Sequence, residues 1–162
     1  MKIKKHIYFL VAFILLLKFS PVFASGNDQQ EIQDAVANFY SALNLMFTGD
    51  AKQMKEVWSH SSDITYMGPM GGLNVGWEQV QKIWNEQAAL KLGGKVEPQE
   101  MKMNIGNDLA ITSNYEMGEN TNANGESQKV KIRATNIFRK ESGKWKMIGH
   151  HTDLLPYLAK TL

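Results

Sequence analysis

The sequence predicts an α+β fold: a long, curved antiparallel sheet wrapped on three helices of the N-terminal half. Three observations carry this. Apolar residues recur at helical spacing early in the chain and again after Gly76. The second half is a run of alternating segments joined by short turns, which makes neighbours antiparallel. Helices first and a meander last is an α+β order, and strands this long twist enough to curl around the helices.

The elements follow in order. Asp28 is a candidate N-cap with Glu31 three residues on, as in a capping box. Ile32, Val36, Phe39, Leu43 and Phe47 then line one helix face, which ends near Thr48-Gly49. Asp50 can cap a short second helix over Ala51–Trp58. The stretch Trp58–Trp84 organises the chain, with four aromatics (Trp58, Tyr66, Trp77 and Trp84) in 27 residues. It reads as a strand over Asp63–Met67, a turn Gly68-Pro69-Met70-Gly71-Gly72, a short strand Leu73–Val75 and a helix. Proline lacks an N–H and glycine accepts positive φ, so that cluster must reverse the chain. Trp77, Val80, Ile83, Trp84 and Ala88 share a face of the third helix, which ends near Gly93-Gly94. Four strands are predicted at Lys95–Ile105, Leu109–Met117, Gln128–Lys140 and Lys144–Leu154, with a polar loop over Gly118–Ser127.

The first residues do not belong to this fold. A basic stretch (Lys2, Lys4, Lys5, His6), the 11-residue apolar run Ile7–Leu17 and Val22-Phe23-Ala24 form a secretory signal peptide, residues 1–24, cleaved after Ala24. The alternative is an uncleaved N-terminal anchor, but the run is short for a membrane span, which needs about 20 residues. The expected product is an exported protein, periplasmic or secreted, comprising the single domain 25–162. There is no cysteine, hence no disulfide and no lipid-carrying cysteine. Removal of the signal takes away four lysines and no acid, so net charge goes from +2 to −2. The mature chain has no basic stripe for nucleic acid and no membrane segment.

Four motifs resemble one family. FTGDAKQM is similar to the step between the first two helices of the SnoaL-like branch of the nuclear transport factor 2-like superfamily. YMGPMGGLNVGWEQV resembles its first hairpin and the helix after it, KIRATNIFRK its long strand, and GKWKMIGHHTD its closing strand. The resemblance spans about Ile32 to Leu155 and implies a cone-shaped sheet with an internal pocket. Its members include ketosteroid isomerase, polyketide cyclases, dehydratases and a kinase association domain, so the fold does not settle function.

Candidate site residues come from strand alternation and from this resemblance. On the last strand Trp145, Met147, Gly149, His151 and Asp153 share a face, expected to look into the cone. By resemblance, Arg133 and Thr135 join them from the long strand. Arg133 would bind a carboxylate or phosphate and His151 could shuttle a proton. The plainer alternative is a structural pairing of Arg133 with Asp153 or Glu116. Tyr40 and Tyr115 supply further polar contacts, and Trp58, Tyr66 and Trp84 form an aromatic wall or simply core. A bulge near Gly149 would exchange His150 and His151. His150 and His151 point oppositely and cannot chelate one ion; His151 with Asp153 gives too few ligands for a typical zinc site, so no metal or cofactor is expected. Enzymes of the family with isomerase chemistry carry an acid before the hairpin proline, where this chain has Gly68. The expectation is therefore a binding protein for a small anionic or aromatic molecule, homodimeric through the outer sheet face. The alternatives are an isomerase, dehydratase or cyclase using His151 and Asp153, and a non-catalytic assembly or inhibitor module.

Overall fold

The computed structural model describes residues 26–153 apart from Met70, Asn122 and Ala123. The expected signal segment and the tail after Asp153 lie outside the described residues. The order is α1 (Gly26–Met46), α2 (Met54–Val57), β1 (Thr65–Gly68), β2 (Gly71–Val75), α3 (Trp77–Ala89), β3 (Lys95–Ile105), β4 (Leu109–Thr121), β5 (Ser127–Glu141) and β6 (Lys144–Asp153). It matches the predicted succession of helix, helix, strand, strand, helix and four strands.

The boundaries move for local reasons. Asp28 lies inside the first turn of α1 rather than capping it. Its carboxylate meets Lys140 Nζ at 2.9 Å, which ties the start of α1 to the end of β5. Asp50 accepts a hydrogen bond from the Lys52 amide, but only Met54–Val57 wind into α2. β4 and β5 run on past the predicted start of the polar loop, pairing as far as Thr121 with Ser127.

The strands form one curved, unclosed sheet in the order β2-β1-β6-β5-β4-β3. Every pairing is antiparallel except β1 with β6. That parallel contact follows from topology. α3 carries the chain from the β1–β2 hairpin to the far edge, and the meander returns until β6 meets β1. At the far edge Asn44 on α1 does the work of a neighbouring strand. Its amide donates to Val96 O (3.0 Å) and its carbonyl accepts from Val96 N (2.8 Å).

The core lies between the helices and the inner sheet face. Ile32, Val36, Phe39, Met46, Trp58, Ile64, Val80, Trp84, Phe138 and Met147 are all nearly inaccessible to solvent. Period 2 decides which residues reach it. On β5 the buried set is Ala134, Asn136 and Phe138, and the set bearing Lys131, Arg133 and Arg139 faces away. On β6 Trp145 and Met147 point inward as predicted, but the register slips where Ile137 pairs Gly149 and Phe138 pairs Met147. This bulge adds a residue and turns the rest of β6 over, so His150 and Thr152 are buried. Gly149 fits there because a Cβ would sit 3.0 Å from Ile137 Cδ1.

Candidate functional site

The inner sheet face carries a buried polar cluster at one end. Its first row crosses four strands: Thr112 on β4 pairs with Asn136 on β5, Asn136 with His150 on β6, and His150 with Tyr66 on β1. Two residues further along β4 each time lie Asn114 and then Glu116, both buried. Tyr40 reaches this cluster from α1. Its hydroxyl donates to Glu116 Oε1 (3.1 Å) and accepts from Asn114 Nδ2 (2.8 Å).

The hydrogen bonds fix the orientation of His150. Asn136 Nδ2 donates to Thr112 Oγ1 (3.1 Å) and to Asn114 Oδ1 (3.3 Å). Its Oδ1 therefore faces the imidazole, 2.6 Å from His150 Nδ1, and that nitrogen must carry the proton. In the neutral ring Nε2 is then a bare acceptor, 3.8 Å from Glu116 Oε1. Phe39, Tyr66 and Trp84 surround the imidazole, with ring centroids 4.8, 5.8 and 6.1 Å away.

Burial sets the charge states. Loss of water pushes His150 down to about 3, so the ring is neutral at ordinary pH. The same loss pushes Glu116 up to about 7, against a smaller opposing effect of the Tyr40 hydrogen bond. A carboxyl that titrates near neutrality can hold or release a proton there. Burial also raises Tyr40, and it raises Tyr66 to about 12.

Tyr66 lies on the aromatic side of the cluster. Gln87 donates to its hydroxyl at 2.7 Å, and its ring lies 4.7 Å from that of Trp84. Gly68 makes room for it: a Cβ on residue 68 would stand 2.5 Å from the Tyr66 hydroxyl. Trp84 and Trp58 face each other at 6.1 Å, and the indole N–H of each is buried with no hydrogen-bond partner among the described residues.

The residues singled out in the sequence therefore divide into two groups. Tyr40, Trp58, Tyr66 and Trp84 line the interior. Arg133, Thr135, His151 and Tyr115 do not, which corrects the expected facing of the first three and of Asp153, and removes Tyr115 from the cone contacts. Together with Asp153 and Met67 they line an open cleft of about 590 Å³ across the outer sheet face. There His151 Nε2 lies 2.9 Å from Thr65 Oγ1, Arg133 sits 4.0 Å from Asp153, and Lys131 lies 5.4 Å from the centre of the Tyr115 ring. Desolvation lowers the His151 pKa, with Asp153 opposing. The charge on Arg133 keeps that strand face toward water, and the β6 bulge carries His151 out with it. Among the described residues no three His, Asp or Glu side chains lie together as metal ligands would.

Sequence reasoning passed over Asn114, Glu116, Asn136 and His150 as a set. One signal was available. Every lysine and arginine of β5 before Phe138 has an odd number, so the uncharged even set, Asn136 included, should face the core.

A second cleft, of about 630 Å³, runs between α1 and β3 with Tyr40 in its lining. The outer cleft touches Asn114. Tyr40 and Asn114, one in each lining, are bonded to each other.

Residues 32–155 match the family described as the SnoaL-like domain. The chain belongs to the SnoaL-like family. Solved structures bear out the fold of this SnoaL-like protein. A candidate dehydratase of the nuclear transport factor 2-like family from Streptomyces avermitilis superposes with a TM-score of 0.71 at 17% identity, covering 81% of this chain and 99% of its own. A candidate ketosteroid isomerase from Shewanella frigidimarina gives 0.63 at 18% identity, covering 76% and 94%. The association domain of the Caenorhabditis elegans calcium/calmodulin-dependent kinase II gives 0.60 at 17% identity, covering 80% and 100%. No curated protein matches the SnoaL-like chain by sequence.

Proposed function

We propose that this SnoaL-like chain is exported after cleavage at Ala24 and binds a small molecule inside its cone. One observation carries the reading: four polar side chains, Tyr40, Asn114, Asn136 and His150, converge in the interior around Glu116, whose carboxyl burial pushes up to about 7. A polar cluster of this kind loses stability to desolvation relative to an apolar core, and it fixes the orientation of a bound molecule. Trp58, Tyr66 and Trp84 supply the apolar wall. The outer face, where half-buried Ile111 pairs with half-buried Ile137, serves a homodimer.

The test is native mass spectrometry of residues 25–162 recovered from the exported compartment. The expected species is a dimer carrying a discrete added mass that Glu116→Gln weakens or loses. A chain that never carries or takes up a small molecule overturns the binding reading, and a monomer overturns the dimer.

The second reading is an enzyme of the isomerase or dehydratase type, in keeping with the names of two of the similar structures. A near-neutral Glu116 facing the bare Nε2 of His150 favours it, and moves the acid–base role away from His151 and Asp153. Turnover that vanishes in Glu116→Gln while binding persists would establish that reading over simple binding.

A further inference from the structure

The polar end of the cone is short of hydrogen-bond donors. Asn136 holds the His150 proton on Nδ1, so Nε2 offers a lone pair. Glu116 Oε1 lies 3.8 Å from it and takes its hydrogen bond from Tyr40 on the other side. When Glu116 is ionised the two acceptors face each other with no donor between them. A nitrogen bearing two N–H groups could sit about 2.9 Å from both, a normal hydrogen-bond length. Burial opposes any charge here, as it does on His150, so an ammonium there depends on ionised Glu116 as its counter-charge. Among the described residues no lysine or arginine is buried, and the rings of Phe39, Tyr66 and Trp84 gather around the imidazole.

We propose that the ligand of the cone is a primary amine, whose ammonium group bridges Glu116 and His150 with its apolar body against the aromatic wall. This rests on the reading of the cone as a binding site and names the class of its ligand. It is the opposite charge from the one Arg133 would select, and Arg133 lies on the other face of the sheet. The groove between α1 and β3 has Tyr40 in its lining, and Tyr40 is bonded to Glu116.

Binding is then linked to a proton. The titratable groups facing Glu116 are His150 on β6, Tyr40 on α1 and Tyr66 on β1, and all three are neutral near pH 7. The ammonium needs Glu116 ionised, so affinity should rise with pH through about 7 and level off above it.

Three probes of one shape separate the outcomes: benzylamine, benzyl alcohol and benzoate, titrated into residues 25–162. The readout is the indole N–H signals of Trp58 and Trp84, which report on the cone and not on the outer cleft. The expected result is saturable shifts with benzylamine, about tenfold tighter than with the alcohol, and none with benzoate. Glu116→Gln, nearly isosteric and checked for folding by the same spectrum, should bring benzylamine down to the alcohol and abolish the pH dependence. Benzoate or alcohol binding as well as the amine, or an amine preference that survives in Glu116→Gln, overturns the ligand class and leaves the cone site standing. No indole shift with any of the three overturns both.

Discussion

Glu116 and His150 are displaced in opposite directions by the same loss of water, and the pair leaves a signature in stability. His150 stays neutral in the fold down to about 3, against an ordinary 6.5, so its contribution is present above 6.5 and is lost as pH falls toward 3. Glu116 stays protonated up to about 7, against an ordinary 4.5, so its contribution is present below 4.5 and is lost as pH rises through 7. Between 4.5 and 6.5 the two slopes oppose, each at most about 1.4 kcal/mol per pH unit. Urea unfolding at several pH values should show the pair adding little slope in that window. In Glu116→Gln stability should climb with pH across it; an unchanged profile would mean that the carboxyl keeps its ordinary acidity. Gly68 gives a second prediction. Gly68→Ala forces the Tyr66 ring aside and should cost about 1–3 kcal/mol, read as a lower thermal midpoint. The absence of an acid before Pro69 was legible in the sequence; the reason, a tyrosine ring lying over that position, was not.

Strand alternation gave the sides of β4 and β5 but not which side is inner. A pattern of period 2 needs one decisive residue, and charge supplies it on β5, where Lys131, Arg133 and Arg139 share a face. Reading Arg133 as interior because of the family resemblance ran against that pattern. The β6 bulge is a different case, since a one-residue slip beside Gly149 exchanges two adjacent histidines and propensity does not register it. At two places side chains add to what strand pairing holds. Asn44→Ala removes both hydrogen bonds to Val96 and should cost about 1–3 kcal/mol, with faster amide exchange at the start of β3. Arg139 clamps the segment before β1 by bonding Asp63 (2.7 Å), Ser61 (2.9 Å) and Glu141 (2.8 Å). The guanidinium holds the Asp63 carboxyl well below its ordinary value, so this stabilisation is present above about pH 4 and is lost in stronger acid. The Asp63 side chain is 61% exposed, so Arg139→Met should cost only about 1 kcal/mol and less at high salt.

On the scale of the molecule, the order of elements and the wrapping of the sheet on three helices were readable from periodicity and turns. The parallel contact of β1 with β6 was not, because it joins segments more than 80 residues apart in the chain. The cone itself is an arrangement of one apolar wall and one polar end, assembled from α1, α3 and four central strands. Its chemistry centres on whether a carboxyl inside that end is poised near neutrality. A carbon-13 NMR titration of the side-chain carboxyl of Glu116 in residues 25–162, assigned by comparison with Glu116→Gln, measures this directly. The expected result is an inflection near 7, accompanied by a shift of the His150 ring signals without protonation of that ring. An inflection near the ordinary 4.5, with His150 charging near 6.5, would contradict it.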